Sequence, residues 1–324
     1  MSFWDGKKVL VTGGAGFIGS HLVEKLLGTS RAARVTVADN LSAGKMANLK
    51  GVLKAVKFVK ADLMSPEACL KLCRGQDVVL NLAAKVGGVG YNAAHPGTMF
   101  RDNMLLSAYM IEAARQAQVE RYLVVSSACV YPRLCTIPTP ETEGFRDGPD
   151  EINEGYGWAK RMSEFQADAY RREFGMKIAI ARPYNAYGPR DHFESENAHV
   201  IGALIRRIVG GENPVLVWGD GSQTRAFLHV DDFARGLLEV CEKYPACDPV
   251  NLGTDEEVTI GDLARTILRL SGSKAKLKFD RSKPSGQPRR NCDTAKAKAK
   301  AGFSARVALE DGLARTIEWY KQNY

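Results

Sequence analysis

A tyrosine and a lysine four residues apart are the first candidates for chemistry in this chain of 324 residues. Tyr156 and Lys160 fall in a helix-like stretch, where residues four apart share one face. A free tyrosine, with a pKa of about 10, is a poor base at neutral pH, but a nearby ammonium group favours its phenolate. Ser126 and Ser127 end an apolar run upstream and could either cap a strand or hydrogen-bond a substrate oxygen. Together these side chains suit proton transfer at a hydroxyl or carbonyl group.

A glycine-rich segment near the start of the chain suits the binding of a pyrophosphate. Gly13, Gly16 and Gly19 follow the first apolar run, and this spacing lets the backbone approach a pyrophosphate at a helix N-terminus. Asp39 ends the second run, where a carboxylate accepts hydrogen bonds from an adenosine ribose and repels a 2′-phosphate. Asp62 ends the third run and could contact adenine or cap the next helix. The pattern predicts a dinucleotide cofactor and favours NAD over NADP.

The elements that must position these residues alternate between strands and helices. Six apolar runs of strand length occupy residues 8–12, 34–38, 57–60, 77–82, 121–126 and 177–182. Helix-like stretches between them include residues 18–27, 102–118 and 156–174, of which the first and last stop before Gly28 and Gly175. Each glycine suits a left-handed helix end. Alternating strands and helices predict an α/β fold with a doubly wound parallel sheet of the Rossmann type.

After residue 183 frequent glycine and proline residues predict a smaller mixed α/β lobe that holds the substrate. We expect the NAD-binding domain to comprise residues 1–182 and about 222–251. The remaining residues, about 183–221 and 252–324, would form the lobe. The alternating Ala-Lys segment at residues 295–301 is expected to be a solvated surface helix without a single basic face.

Composition narrows the classes of partner and compartment. The net charge of +8 lies wholly within residues 271–300, where ten residues are basic and two are acidic, which argues against a surface that follows a nucleic acid. The seven cysteines include no CxxC pair, which argues against a disulfide framework or a zinc site. No apolar run approaches the roughly 18 residues of a membrane span, and no signal peptide precedes the first strand. The sequence predicts a cytoplasmic protein without a metal, nucleic-acid or membrane partner.

The glycine segment, Asp39, Ser127 and the Tyr156/Lys160 pair resemble the short-chain dehydrogenase/reductase superfamily, in its extended branch acting on nucleotide sugars. Residues 182–189 (RPYNAYGP) and 225–232 (RAFLHVDD) extend the resemblance. It implies that Tyr156 is the acid/base at a sugar hydroxyl, that Lys160 orients the nicotinamide ribose and lowers the Tyr pKa, and that Ser127 assists. The cofactor-binding residues implied are Gly13, Gly16, Phe17, Ile18, Gly19, Asp39, Asn40, Asp62, Leu63, Ala83 and Lys160. The resemblance also implies a homodimer through the helices at 102–118 and 156–174.

Two further segments point to a pair of acid/base groups that act on sugar carbons. Residues 126–132 (SSACVYP) resemble the GDP-mannose 3,5-epimerases, whereas residues 85–88 (KVGG) and 197–201 (NAHVI) look like the GDP-L-fucose synthases. Oxidising C4 to a ketone acidifies the hydrogens on C3 and C5, and inversion removes a proton from one face and returns it on the other. The resemblance to these families implies that Cys129 and His199 form the epimerising pair. Their alternatives are a small buried cysteine and a structural or surface histidine.

The chain departs from each of these relatives. Plant-type GDP-mannose epimerases carry a lysine-containing segment where His199 stands, and fucose synthases lack Ala128 and usually use NADPH. A dehydratase would show Thr-Asp-Glu in place of Ser127-Ala128-Cys129, so dehydration is not expected. A UDP-hexose 4-epimerase, which needs only the serine, tyrosine and lysine, is the alternative enzyme. A non-catalytic, cofactor-sensing regulator is the alternative of another class, although it would be expected to have lost the tyrosine and lysine.

Substrate contacts are expected from basic and amide side chains. By resemblance Asn185, Arg225 and Arg289 contact the nucleotide diphosphate, since arginine forks bind phosphate oxygens bidentately. Arg207 and Arg290 are further candidates, and Lys85 with Gly88 would hold the hexose or its neighbouring loop. Each arginine or lysine could instead form a surface ion pair. The predicted substrate is a nucleotide-diphosphate sugar, GDP-linked by the resemblance.

Overall fold

The computed structural model describes residues 2–30, 33–194, 198–283 and 287–324. Asn197, which belongs to one of the segments that resemble the fucose synthases, lies outside these residues. The strands are β1 Lys8–Thr12, β2 Arg34–Asp39, β3 Val56–Lys60, β4 Val78–Asn81, β5 Arg121–Val125, β6 Ile178–Pro183, β7 Ala186–Tyr187, β8 Val215–Trp218, β9 Thr224–Ala226, β10 Leu228–His229, β11 Val250–Leu252, β12 Glu257–Thr259, β13 Leu277–Asp280 and β14 Arg289–Arg290. The helices are α1 Phe17–Thr29, α2 Pro66–Cys73, α3 Val89–Ala94, α4 Pro96–Gln116, α5 Glu154–Phe174, α6 Val200–Val209, α7 Val230–Lys243, α8 Ile260–Ser271 and α9 Leu309–Asn323.

A seven-stranded parallel sheet forms the larger part of the fold, in the order β3-β2-β1-β4-β5-β6-β11. Successive strand residues point to opposite faces, so Val9 and Val11 pack against α1 and α7 whereas Leu10 packs against α2 and α4. Burial of both faces explains why the strands are apolar without alternation. The predicted α/β fold with a doubly wound parallel sheet is confirmed. The six predicted strands agree with the structure to within one residue at each end.

The seventh strand and one helix end differ from the sequence-based expectations. Strand β11 was not predicted, because its three residues are too short to stand out as an apolar run. Gly28 was expected to end the first helix, but α1 continues to Thr29 and Ser30 leaves it in an extended conformation. Gly175 does end α5 in the left-handed conformation, with φ of 69°. A glycine therefore permits this helix end without requiring it.

The smaller lobe combines parallel and antiparallel pairs, as predicted. Strand β9 pairs antiparallel with β12 and parallel with β14, and β8 pairs parallel with β13. Helices α6, α8 and α9 share a core that includes Ile205, Leu263 and Leu313. No helix among the described residues is long and apolar enough to cross a membrane.

Part of the sequence assigned to the lobe packs elsewhere. Ala297, Ala301 and Phe303 are buried in the core between the large sheet and α7, although the predicted boundary placed them in the lobe. The two alanines are four residues apart on a π-helical turn, so both face the core. Lys298 and Lys300 point to solvent, as expected.

Candidate active site

The C-terminal end of β5 and the first turns of α5 bring four of the predicted catalytic residues together. The Ser127 hydroxyl accepts a hydrogen bond of 3.1 Å from the Cys129 backbone N–H and lies close enough to the Tyr156 phenol to lower its pKa. The Lys160 ammonium donates to the Val125 carbonyl at 2.8 Å and lies 5.4 Å from the centre of the Tyr156 ring. Tyrosine, lysine, serine and cysteine thus surround one small volume above the sheet edge.

A glycine that the sequence analysis did not single out allows this close approach. Gly157, in the first turn of α5, has no room for a side chain, because a Cβ atom there would lie 2.5 Å from the Cys129 carbonyl oxygen. Contacts of that length are repulsive, so a larger residue would push α5 away from the turn that carries Cys129. In the sequence, this role is indicated by the fact that Gly157 directly follows the candidate tyrosine.

Burial strongly affects both members of the tyrosine and lysine pair. Burial raises the pKa of the Tyr156 phenol well above its usual value, Cys129 raises it further, and the Ser127 hydrogen bond opposes these effects. Burial lowers the pKa of Lys160 to about 8, although Cys129 and Glu164 act in the opposite direction. The ammonium group can therefore change its charge close to neutral pH, and its positive charge is needed to favour the phenolate.

The structure distinguishes the two candidate serines. Ser126 is buried and donates a hydrogen bond to the Glu164 carboxylate, so it points away from the site. Ser127 follows it on the opposite side and meets Tyr156. Ser127 is therefore the serine that lies on the side of Tyr156, and its role stays a prediction.

Cys129 differs from the buried cysteines of the chain. Burial raises the pKa of Cys69 to about 11 and the pKa values of Cys73 and Cys241 to about 12, as expected for cysteines that serve as core side chains. Cys129 is partly exposed, and the Arg290 guanidinium lies near enough for the two groups to interact electrostatically. Burial disfavours the charge on Arg290, but Cys129 and then Tyr184 outweigh it and raise the Arg290 pKa.

His199 lies at a different place, immediately before α6. It is exposed, and its charge acts on the buried carboxylate of Asp191. Burial raises the pKa of Asp191, which His199 and His192 oppose. Among the described residues His199 makes no hydrogen bond or ion pair with Cys129. A cavity of about 170 Å³ lined by Asp191, Phe17 and other side chains connects the segment before His199 to the start of α1.

The glycine segment has the geometry of a pyrophosphate cradle. Gly13 has φ of +64°, and a Cβ atom there would lie 3.1 Å from the Ala83 backbone. A Cβ atom at Gly19 would lie 2.1 Å from the Gly13 carbonyl oxygen. Gly16 immediately precedes α1, whose first turn contains Phe17 and Ile18, so backbone N–H groups at this helix start can receive an anion. The residues present therefore fit a bound dinucleotide.

The predicted adenosine contacts lie at the C-terminal ends of neighbouring strands. Asp39 ends β2, where its buried carboxylate accepts N–H bonds from Ala15 at 3.0 Å and Leu41 at 2.8 Å. Asp62 is exposed and accepts from Met64 N–H, and Ser65 rather than Asp62 caps α2. The other predicted contacts are exposed Asn40 after β2, buried Leu63 after β3 and half-buried Ala83 after β4.

Several of the predicted substrate contacts are already paired. Arg289 is 51% exposed and its guanidinium binds Glu257 at 2.8 Å, while Arg207 binds Glu212 at 2.5 Å. Lys85 forms an ion pair of 2.8 Å with Asp102. The sequence analysis named these ion pairs as the alternative for each side chain. Gly88 lies immediately before α3, and the Asn185 amide donates to the Ala226 carbonyl at 2.9 Å, which ties it to β9.

Arg225 and Arg290 are neighbours in the β9/β14 pair. Burial lowers the pKa of Arg225 to about 10, and the charge of Arg290 lowers it further. No carboxylate pairs with Arg225 among the described residues. Two close cations that are not neutralised by acidic side chains suit a diphosphate. The sequence-based prediction named Arg289 first and Arg290 as a further candidate, and the register of β14 against β9 decides which of the two lies near Cys129.

Comparisons with known proteins agree with this arrangement. Residues 9–253 match the NAD dependent epimerase/dehydratase family. The GDP-L-fucose synthase 1 of Arabidopsis thaliana is 34% identical over 322 residues, which cover 98% of this chain and 94% of that protein. The GDP-mannose 3,5-epimerase 1 of Oryza sativa subsp. japonica is 31% identical over 323 residues, which cover 99% of this chain and 84% of that protein.

A solved structure has the same fold. The UDP-glucose 4-epimerase of Thermotoga maritima, determined with UDP-glucose, superposes with a TM-score of 0.88 at 31% identity, covering 97% of this chain and 99% of that one. The resemblance drawn from the motifs is thereby confirmed. The chain belongs to the NAD dependent epimerase/dehydratase family, within the extended short-chain dehydrogenases/reductases that act on nucleotide sugars.

Proposed function

We propose that this enzyme uses NAD to epimerise a GDP-linked hexose at C3, C5 or both, through a 4-keto intermediate. The observation that carries the proposal is the position of Cys129, whose partly exposed thiol lies beside both Tyr156 and Arg290. An enzyme that only oxidises and reduces C4 needs the tyrosine, the lysine and the serine, and has no use for a thiol there. A second acid/base group at this corner serves a reaction at a neighbouring carbon.

The tyrosine, lysine and serine perform the proton transfer at C4. Tyr156 takes the proton of the C4 hydroxyl group, Ser127 hydrogen-bonds the same oxygen, and the Lys160 ammonium stabilises the phenolate. The glycine segment and Asp39 would hold NAD, which would supply a reversible hydride acceptor for C4. Because burial disfavours the phenolate, the positive charge of Lys160 is required for this step.

Inversion then requires proton transfer on both faces of the sugar. The C4 ketone acidifies the C3 and C5 hydrogens, so Cys129 as thiolate can remove one of these protons and His199 can supply a proton from the other face. Groups that act on opposite faces have the sugar between them, so the lack of contact between Cys129 and His199 is compatible with these roles. If the substrate already carries the 4-keto group, the same residues epimerise first, and a reduced nicotinamide bound at the glycine segment would supply one hydride to C4.

The phosphates of the substrate are assigned to the two unneutralised arginines. Arg225 and Arg290 are adjacent, and one of them adjoins Cys129, so a diphosphate held there would place the attached sugar near the thiol. The preference for guanine rests on the two relatives whose names contain GDP. The preference for NAD rests on the carboxylate of Asp39, which would repel a 2′-phosphate.

Proton NMR of purified enzyme with GDP-mannose, GDP-4-keto-6-deoxymannose and UDP-glucose, each alone and with NADH or NADPH, tests the proposal. We expect a GDP-sugar to change configuration at C3 or C5, with net nicotinamide oxidation only for the 4-keto substrate. Conversion of UDP-glucose alone would contradict the proposal.

A UDP-hexose 4-epimerase is the second candidate. It is favoured by the exposed position of His199 away from Cys129, and by the likeness to the Thermotoga maritima enzyme. In that case Cys129→Ser would leave turnover of UDP-glucose unchanged, because a 4-epimerase uses no thiol. A strong loss of turnover would exclude this candidate.

We also propose that the enzyme is a homodimer through α4 and α5. These helices pack together and expose Phe100 and Phe165, the latter to 58%. Large exposed aromatic side chains on neighbouring helices suit an interface. Light scattering after size-exclusion chromatography should give twice the chain mass for the wild type and a smaller mass for Phe165→Glu. A monomeric wild type would contradict this assignment, and a cytoplasmic location stays a prediction from the sequence.

A further inference from the structure

A buried ion pair lies directly behind the proposed catalytic residues. Glu164 is on α5, four residues after Lys160, which is itself four residues after Tyr156, so the three side chains occupy one side of the helix. Arg182, near the end of β6, binds the Glu164 carboxylate with Nε at 2.8 Å and Nη2 at 2.6 Å. Glu164 is 3% exposed and Arg182 is 2% exposed. Removing either partner would leave a charge buried without compensation.

The same carboxylate is connected to the strand end that carries Ser127. Ser126 donates its hydroxyl proton to Glu164 Oε1, while Lys160 donates to the carbonyl of Val125, one residue earlier. Glu164 and Lys160 thereby hold two successive residues of the same backbone segment. The next residue is Ser127, whose hydroxyl meets the Tyr156 phenol.

Other charged and titratable groups complete the surroundings of the pair. Arg182 also donates to the Tyr131 hydroxyl at 3.1 Å and to the Glu141 carbonyl at 2.7 Å. Arg161, on α5, adds a further buried cation that donates to the Val130 carbonyl at 2.8 Å. Cys247 and Glu164 line the same pocket. Lys160 itself faces Tyr156, Cys129 and Glu164.

We propose that Glu164 is a positioning residue of the proposed reaction, which places a negative charge beside Lys160 and, through Ser126, holds Ser127 against Tyr156. Arg182 orients the carboxylate through its two hydrogen bonds. Glu164 touches neither substrate nor cofactor in this assignment, so its effect passes through Lys160 and Ser127. The inference rests on the proposed function for its effect on turnover, but its effect on Lys160 can be measured without a substrate.

The test is NMR titration of protein labelled with ε-carbon-13 lysine, with Lys160→Met to assign the resonance. In the wild type this resonance should titrate near pH 8, well below ordinary lysines. In Glu164→Gln the midpoint should fall by up to about one pH unit, since the opposite charge one helical turn from Lys160 has been lost. With a nucleotide sugar, kcat should fall about tenfold, its alkaline limb should move to lower pH, and KM should change little.

Two matched variants distinguish the electrostatic effect of Glu164 on Lys160 from its effect on the position of Ser127. Glu164→Asp keeps the carboxylate and should restore the Lys160 midpoint and part of the lost kcat. Ser126→Ala keeps both charges, so it should leave the Lys160 midpoint unchanged and lower kcat several-fold through the loosened Ser127. An unchanged midpoint in Glu164→Gln would overturn the electrostatic role, and a wild-type kcat in Ser126→Ala would overturn the tether.

A folding defect is controlled by removing both charges. If Glu164→Gln does not fold, the double variant Glu164→Gln/Arg182→Met should fold, because no unpaired charge stays buried. Its Lys160 midpoint should still lie below that of the wild type, and an unchanged midpoint would overturn the proposal. If the wild type turned over no nucleotide sugar, the proposed function would fail, yet the titration would still decide the relation between Glu164 and Lys160.

Discussion

The corner formed by β5 and α5 and the surface of the smaller lobe hold their functional side chains in different ways. In the corner, Lys160 and Ser127 are tied to the backbone at the end of β5 by hydrogen bonds of 2.8 and 3.1 Å. On the lobe, Arg207 and Arg289 are engaged by acidic neighbours at the surface. The side chains proposed for proton transfer are thus positioned by the large sheet. Substrate recognition depends instead on the few basic side chains of the lobe that no carboxylate neutralises.

The largest effect is expected from the corner. Tyr156→Phe removes the hydroxyl that takes the C4 proton, so kcat should fall about 10³-fold, within the range for loss of a general acid/base. Tyr170→Phe, on the same helix, loses only a hydrogen bond to Glu112 and should keep wild-type turnover. Steady-state kinetics with matched circular dichroism spectra would measure both. More than a tenth of wild-type kcat in Tyr156→Phe would remove this residue from the mechanism.

Gly19 and Gly28, both in α1, differ in the space that surrounds them. A Cβ atom at Gly19 would overlap the Gly13 carbonyl oxygen, whereas a Cβ atom at Gly28 would meet nothing within 4 Å. Gly19→Ala should weaken NAD binding about 100-fold by displacing the pyrophosphate turn. Gly28→Ala should leave binding unchanged and stabilise the fold by up to about 0.5 kcal/mol. Calorimetric titration with NAD measures the affinity, and equal affinities would contradict the assigned cradle.

The adjacent arginines of β14 test recognition on the lobe itself. Arg290→Met removes a cation beside Arg225, so KM for the nucleotide sugar should rise about 10- to 100-fold, the effect of losing a charge-assisted hydrogen bond. Arg289→Met removes only the exposed pair with Glu257 and should change KM less than about twofold. The fold should tolerate both changes, since the first relieves repulsion between like charges. A larger effect at Arg289 would reverse the assignment.

The pH dependence of turnover gives the smallest expected effect and concerns the corner alone. Burial lowers the pKa of Lys160 to about 8, so the ammonium is present below that pH and is lost above it. Because the phenolate of Tyr156 needs this cation, kcat should fall about tenfold for each pH unit above 8. A rate profile in buffers of constant ionic strength would show the limb. A kcat that stays level to pH 10 would exclude a charged Lys160 from the rate-limiting step.

Features encoded locally in the chain could be predicted from the sequence. The strands follow from continuous apolar runs, and the meeting of Tyr156 with Lys160 follows from a spacing of four on one helix. The approach of Ser127 to the same place follows because it ends the strand beside that helix. Each of these inferences needs only one element and its period.

Features that depend on pairing between distant segments could not be predicted. Whether Arg289 or Arg290 lies beside Cys129 is decided by the register of β14 against β9, and adjacent residues differ by a whole face. The ion pair of Glu164 with Arg182 joins a helix to a strand, and no sequence motif predicts that these two residues pair. The separation of His199 from Cys129 likewise depends on where α6 starts in the lobe.

Uptake of deuterium from deuterium oxide tests the central claim most directly, namely that Cys129 moves a proton at a sugar carbon. Wild-type enzyme with the GDP-sugar that it converts should introduce deuterium at C3 or C5. Cys129→Ser should slow this uptake about 100-fold, within the range for a lost acid/base group, while Cys135→Ser, the other partly exposed cysteine, should not. Uptake in Cys129→Ser at the wild-type rate, or none at C3 and C5 in the wild type, would contradict the account.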